Sequence, residues 1–149
     1  SILKRNDTLF LICVGGNQFT DDELTLIRSL EINNKILQID ATDGELVYLY
    51  KNAEMFIFPS LYEGFGFPIV ETLATGSKLV ASDIPTTREI AGDIPIYFDQ
   101  NDSTSLIEAL NIAVEKQLTE KETSDIRQHA FQYNWDNTAR ETIKVYKSL

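Results

Sequence analysis

Five short apolar runs, each separated from the next by segments with helical spacing, constrain the fold of this chain more than any other feature. They are Thr8–Val14, stopped by Gly15-Gly16, then Lys35–Ile39, Met55–Pro59, Lys78–Ala81 and Ile94–Phe98. Continuous apolarity without alternation is the pattern of a strand covered on both faces, so the natural host is a parallel sheet. The intervening segments have readable helix ends. Thr20 caps a helix whose first turn is the acidic Asp21-Asp22-Glu23, and Asp43 caps one carrying Leu46, Val47, Leu49, Tyr50 and Ala53. Pro68 suits the first position of a helix that stops at Gly76, and Thr86 or Thr87 starts a short helix closed by Gly92. Ser103 or Ser105 caps the run holding Leu106, Ile107, Leu110 and Val114, Thr119 with Glu122 forms a capping box, and Asp136 caps a last helix presenting Ala139, Ile143, Tyr146 and Leu149. Strand and helix alternate, which predicts an α/β class: a Rossmann-like, doubly wound, mostly parallel sheet with helices on both faces. At 149 residues the expectation is one domain, 1–149.

Charge and cysteine usage remove several function classes. With 13 Lys plus Arg against 23 Asp plus Glu, the formal charge is −10, the wrong sign for wrapping nucleic acid. A nucleotide ligand stays open, because backbone amides hold a diphosphate without a basic surface. The single cysteine, Cys13, forms no internal disulfide and fits a reducing compartment. No apolar run approaches the ~20 residues of a membrane span, and no signal-peptide pattern opens the sequence.

The densest chemical signal is Pro59-Ser60-Leu61-Tyr62-Glu63-Gly64-Phe65-Gly66-Phe67-Pro68-Ile69-Val70-Glu71. A strand ends, a glycine-bearing turn follows and a helix opens, and in an open α/β sheet the carboxyl ends of strands are where ligands bind. Gly64 and Gly66 leave room for a ligand to approach the backbone, and the free amides of the helix start favour an anion such as a diphosphate. Glu63 lies before the turn and Glu71 in the first turn of the helix. Two carboxylates beside an anion site suit a ligand with sugar hydroxyls attached to phosphate. The plainer reading has Glu71 complementing the helix dipole, Glu63 solvated in a loop and the glycines shaping a turn.

Glu63 through Glu71 has the form E-G-F-G-x-P-x-x-E, and here the sequence resembles glycosyltransferase family 4 and its GT-B relatives, whose signature carries these two glutamates. The flanks Asn52–Ser60, Ala74–Pro85, Arg88–Asp93, Tyr97–Asp99 and Asn134–Ala139 are similar to the family's as well, so the likeness runs from about Leu9 to the end. The resemblance implies the C-terminal, donor-binding domain of a two-domain enzyme, one half of a GT-B fold. It implies transfer of a sugar from a UDP-, GDP- or ADP-sugar, with retention, to a carbohydrate or lipid-linked acceptor held by an N-terminal domain. The alternative is a non-catalytic nucleotide-sugar-binding module. By position, Glu63 is the catalytic candidate. Donor contacts fall to Gly64, Phe65, Gly66, Phe67 and Glu71, with Glu71 on the ribose, and the base lies near Ile39, Asp40 and Ala41 beside the Gly15-Gly16 turn. No metal or other cofactor is expected. The implied location is cytoplasmic, or the cytoplasmic face of a membrane.

The sequence departs from the family in one region. Thr8–Val14 matches the family's second strand, and only Ser1–Asp7 precede it, so the first strand and the basic pair that grips the diphosphate are not found. In the strand order 3-2-1-4-5-6 that strand is central, so its neighbours are expected to be unpaired and to invite self-association. Lys4 and Arg5 lie ahead of the matched strand and are not equivalent to that pair, and Asp40-Ala41-Thr42 stands where relatives often have a glycine. Arg88 either reaches the diphosphate or serves a surface ion pair. His129 is read as structural or exposed, Cys13 as a buried thiol, and Tyr133 and Trp135 as anchors of the last helix. A dinucleotide dehydrogenase is disfavoured because Val14–Phe19 lacks the glycine fingerprint. A response-regulator receiver is disfavoured because the strand ends lack its acidic set.

Overall fold

The computed structural model describes residues 2–148, so the expected last-helix residue Leu149 lies outside them. Among the described residues are five strands, each between helices, and eight helices: α1 (Ile2–Arg5), β1 (Leu11–Val14), α2 (Asp21–Ser29), β2 (Ile36–Ile39), α3 (Asp43–Asn52), β3 (Phe56–Phe58), α4 (Phe67–Thr75), β4 (Leu79–Ser82), α5 (Pro85–Ala91), β5 (Ile96–Phe98), α6 (Ser103–Glu115), α7 (Glu120–Ala130) and α8 (Trp135–Ser148). The α/β class is as expected, and every strand pair is parallel. The strands form two sheets, β1-β2 and β3-β4-β5. Among the described residues β1 pairs only with β2 and β3 only with β4, the unpaired edges anticipated above. The chain divides into two compact units, 1–46 and 47–149.

In the second unit β4 explains why both sheet faces are covered. Side chains alternate along a strand. Leu79 and Ala81 enter a core with Phe58, Ile69, Leu73, Ile90, Ala91, Ile126 and Ala130, so α4, α5 and α7 lie on that face. Val80 points the other way, into a core with Phe98 and with Ala109 and Ala113 of α6. All four β4 residues are buried, as a continuous apolar run predicts. In the first unit that prediction fails. Ile12, Val14 and Leu37 are 42%, 40% and 55% exposed, and among the described residues only Ile27 and Ile32 are buried hydrophobics there. Other ties in this unit are polar: Lys4 pairs with Glu31 at 2.7 Å, and the Lys35 ammonium donates to the carbonyls of Asn6 and Asp7.

Helix ends follow capping chemistry, with small shifts from expectation. The boxes Thr20–Glu23 and Thr119–Glu122 are both formed. For α3 the cap is Thr42, not Asp43: its amide and hydroxyl donate to Glu45 at 2.8 and 2.7 Å. Asp102, not Ser103 or Ser105, caps α6 by accepting from the Thr104 amide at 2.7 Å. At α8 Asn134 accepts from the Asn137 amide at 2.8 Å, which displaces Asp136 into the helix. α5 begins at Pro85, placing Thr86 and Thr87 inside it.

Candidate functional site

The glycine-rich segment runs from the end of β3 into α4. Gly66 is the N-cap, with φ 90° and ψ 59° in the left-handed region that glycine enters without a steric penalty. A Cβ there would stand 2.9 Å from Ile69 Cδ1 and 3.5 Å from Phe58 Cζ, so Gly66 turns the chain tightly against the core. Gly64 is the opposite case, since a Cβ on it would meet no atom within 4 Å. α4 starts at Phe67, one residue before the expected Pro68, which makes Glu71 the fifth helical residue. No side chain caps this helix, and among the described residues the amides of Gly64, Phe65, Gly66 and Phe67 donate to no protein acceptor. Pro68 contributes no N–H. Of these four amides only that of Phe67 lies in the first turn of α4, with Gly66 its cap and Gly64 and Phe65 in the turn before it; unclaimed donors at and just before the positive end of a helix favour an anion.

Each glutamate is held by hydroxyls or a phenol. Glu63 Oε1 accepts from the Ser60 hydroxyl at 2.9 Å, and its carbonyl accepts from the Thr86 hydroxyl of α5 at 2.9 Å. Glu71 Oε2 accepts from the Tyr50 phenol at 3.1 Å. Burial, with the nearby Glu71 charge, pushes the Tyr50 phenol far above its ordinary range, so it stays a neutral donor. Glu71 itself is exposed and Glu63 half-buried, which leaves both carboxylates accessible. Phe65 and Phe67 lie with ring centroids 5.0 Å apart, and Phe65 meets the Tyr133 ring edge-on at 6.0 Å. Ser60, Thr86 and Tyr50 were not anticipated. Ser60-Leu61-Tyr62-Glu63 has the spacing of a capping box, which is the signal that could have flagged the first of them.

The other expected residues lie in the first unit, at the carboxyl ends of its strands. Gly15 and Gly16 have φ of 76° and 80°. The Gly15 amide donates to the Ile39 carbonyl at 3.0 Å, extending the β1–β2 ladder into the turn. Gln38 Nε2 donates to the carbonyls of Gly15 and Asn17. Asp40 and Ala41 follow β2 directly and lead into the Thr42 cap, with Asp40 exposed.

Several expectations are corrected or resolved. Arg88 is an ion-pair residue: it grips Asp83 through two nitrogens at 2.7 and 2.8 Å, reaches Asp93 at 3.1 Å and stacks 3.7 Å over the Tyr97 ring. Burial pushes the Tyr97 phenol up to about 12. His129 bonds the Ile90 carbonyl at 2.8 Å, a structural role. Cys13 is half-buried rather than buried, and burial, followed by the Glu23 charge, raises its thiol above the ordinary value. Tyr133 does act as an anchor, donating to the Ile90 carbonyl at 3.0 Å. Trp135 does not, being 79% exposed. A cavity of about 420 Å³ is lined by Lys51, Glu54, Gly76, Lys78 and Arg127 among others, and by none of the motif residues.

Comparison with known proteins places the chain in a family. The family model for glycosyl transferases group 1 matches residues 1–133. An O-antigen chain mannosyltransferase B of Escherichia coli is 34% identical over 112 residues, covering 72% of this chain and 28% of the relative. The O-antigen chain mannosyltransferase RfbU of Salmonella typhimurium is 28% identical over 131 residues, covering 87% of this chain and 36% of the relative. A glycosyltransferase structure from Rickettsia africae superposes with a TM-score of 0.83 at 21% identity, covering 99% of this chain and 42% of that one. This chain belongs to the group 1 glycosyl transferases and has a Rossmann-like arrangement of the GT-B type. It spans about a third of the length of these relatives.

Proposed function

We propose that this chain is the donor-binding part of a retaining glycosyltransferase, taking a nucleotide-diphosphate sugar and serving transfer of the sugar to an acceptor hydroxyl. The observation that carries the reading is the start of α4, where unclaimed amides of Gly64, Phe65, Gly66 and Phe67 lie in one segment with two anchored carboxylates. In this reading the amides take the diphosphate. Their partial charges stabilise the negative charge that grows on the leaving group as the glycosidic bond breaks. Glu63 addresses the sugar at the reacting end, and Glu71 accepts hydrogen bonds from the ribose hydroxyls. The mannosyltransferase relatives support a hexose donor and a carbohydrate acceptor. Neither the amides nor the glutamates need a metal ion to do this work. With a chain charge of −10, affinity rests on local dipoles rather than on the global field.

Calorimetric titration of the chain with UDP, GDP and ADP and their sugar conjugates tests the reading. One nucleotide is expected to bind, and Glu71→Ala is expected to weaken it about tenfold while leaving the melting temperature close to wild type. Unchanged affinity in Glu71→Ala would remove the ribose role, and a folded chain that binds none of the three would remove the donor site.

A further inference from the structure

We propose that Tyr50 is a positioning residue that sets the orientation of the Glu71 carboxylate toward the ribose and thereby makes the site prefer ribonucleotides over 2′-deoxyribonucleotides. The inference rests on the donor-site reading above and adds a residue on another helix to it. Tyr50 is in α3, outside the glycine motif, and is only 5% exposed. Its hydroxyl meets Glu71 Oε2 at 3.1 Å, and an ionised carboxylate has only acceptors, so the phenol must donate.

The tyrosine is itself fixed at two further points. Its ring stands edge-on to Phe56, with centroids 5.0 Å apart and planes at 83°. Its carbonyl accepts from the Ser77 hydroxyl at 2.5 Å, and Ser77 in turn shares a hydrogen bond of 2.8 Å with the Thr75 hydroxyl at the end of α4. α3 and α4 are therefore latched twice, once at Glu71 and once past the last turn of α4. Between the two latches the phenol has little freedom, and its raised pKa keeps it protonated at neutral pH.

A carboxylate on an exposed helix face ordinarily rotates about its last torsion. Here Oε2 is tied, and Oε1 has no protein partner among the described residues. The group consequently presents a fixed edge, and fixed acceptors discriminate by geometry between a sugar that offers a hydroxyl at a given position and one that does not. A freely rotating carboxylate would accept from either sugar with less distinction.

Calorimetry with UDP, GDP and ADP beside dUDP, dGDP and dADP tests the idea on the 149-residue chain, in wild type, Tyr50→Phe, Glu71→Ala and the double variant. Tyr50→Phe deletes one oxygen and keeps the ring against Phe56, and circular dichroism and melting temperature verify the fold. It is expected to weaken the ribonucleotide that binds about three- to tenfold and to leave its deoxy form within about twofold. In the Glu71→Ala background the same change is expected to do nothing further. Equal weakening of both nucleotides, or an unchanged ratio, in a wild-type chain that binds normally would overturn the role of Tyr50 alone. A folded wild type that binds no nucleotide, or one indifferent to Glu71→Ala, would overturn the donor-site reading first and this inference with it.

Discussion

At the scale of single residues, the two motif glycines do different work, and substitution separates them. Gly66→Ala forces a Cβ into a left-handed residue and to within 2.9 Å of Ile69, and is expected to destabilise the chain by about 1–3 kcal/mol in a denaturant melt. Gly64→Ala meets no neighbour and is expected to leave the melt nearly unchanged. The two glutamates and the glycines between them were legible because a motif is local. Tyr50, Ser60 and Thr86 were not singled out, and the distances explain two of them. Tyr50 is 21 residues from Glu71 and Thr86 is 23 from Glu63, so only the folded chain brings each pair together. Arg88 illustrates the same limit from the other side, since its partners Asp83 and Asp93 were visible nearby while the stack on Tyr97 was not.

At the scale of elements, helices α2 to α8 were readable, α1 was not, and helix starts were off by one to three residues. Ser, Thr, Asp and Asn all cap well, so a segment such as Thr42-Asp43 offers two candidates. Glu45 decides for Thr42, because a glutamate three residues after the cap closes the box, a pattern present in the sequence. Three such boxes make the helices acid-sensitive. Glu23, Glu45 and Glu122 are each held below the ordinary carboxylate value of 4.5, chiefly by hydrogen bonds from Thr20, Thr42 and Thr119. A lowered folded-state pKa means this stabilisation is fully present above that value and is lost as pH falls through the folded value. Helicity followed by circular dichroism is therefore expected to hold from pH 7 to about 5 and to decline below about 4, with no matching loss from these groups on the alkaline side.

At the scale of the whole molecule, the apolar runs predicted strands covered on both faces, and among the described residues only β4 is so covered along its length. β1 and β2 have the composition of interior strands, but Ile12 and Val14 of β1 and Leu37 of β2 are about half exposed, because among the described residues the first unit supplies just two buried hydrophobics. Backbone amides of β1 and β2 are accordingly expected to exchange with deuterium well before those of β4, read by hydrogen-exchange mass spectrometry. Comparable protection in both sheets would contradict this assignment of stability. α8 adds to the uncovered apolar area, with Trp135, Ile143, Val145 and Tyr146 all exposed and no residue of the helix buried.

The hydroxyl of Thr86 on the Glu63 carbonyl has a mechanical consequence. A loop rich in glycine is ordinarily a hinge, but this one is pinned in mid-span to the first turn of α5, and that turn follows directly from β4, the best-buried strand. The pin divides the segment into two short arms, each anchored at both ends. Movement of Glu63 then drags on α5, whose Arg88 is clasped by Asp83 and Asp93, so the load passes into a braced corner of the fold instead of dissipating in the loop.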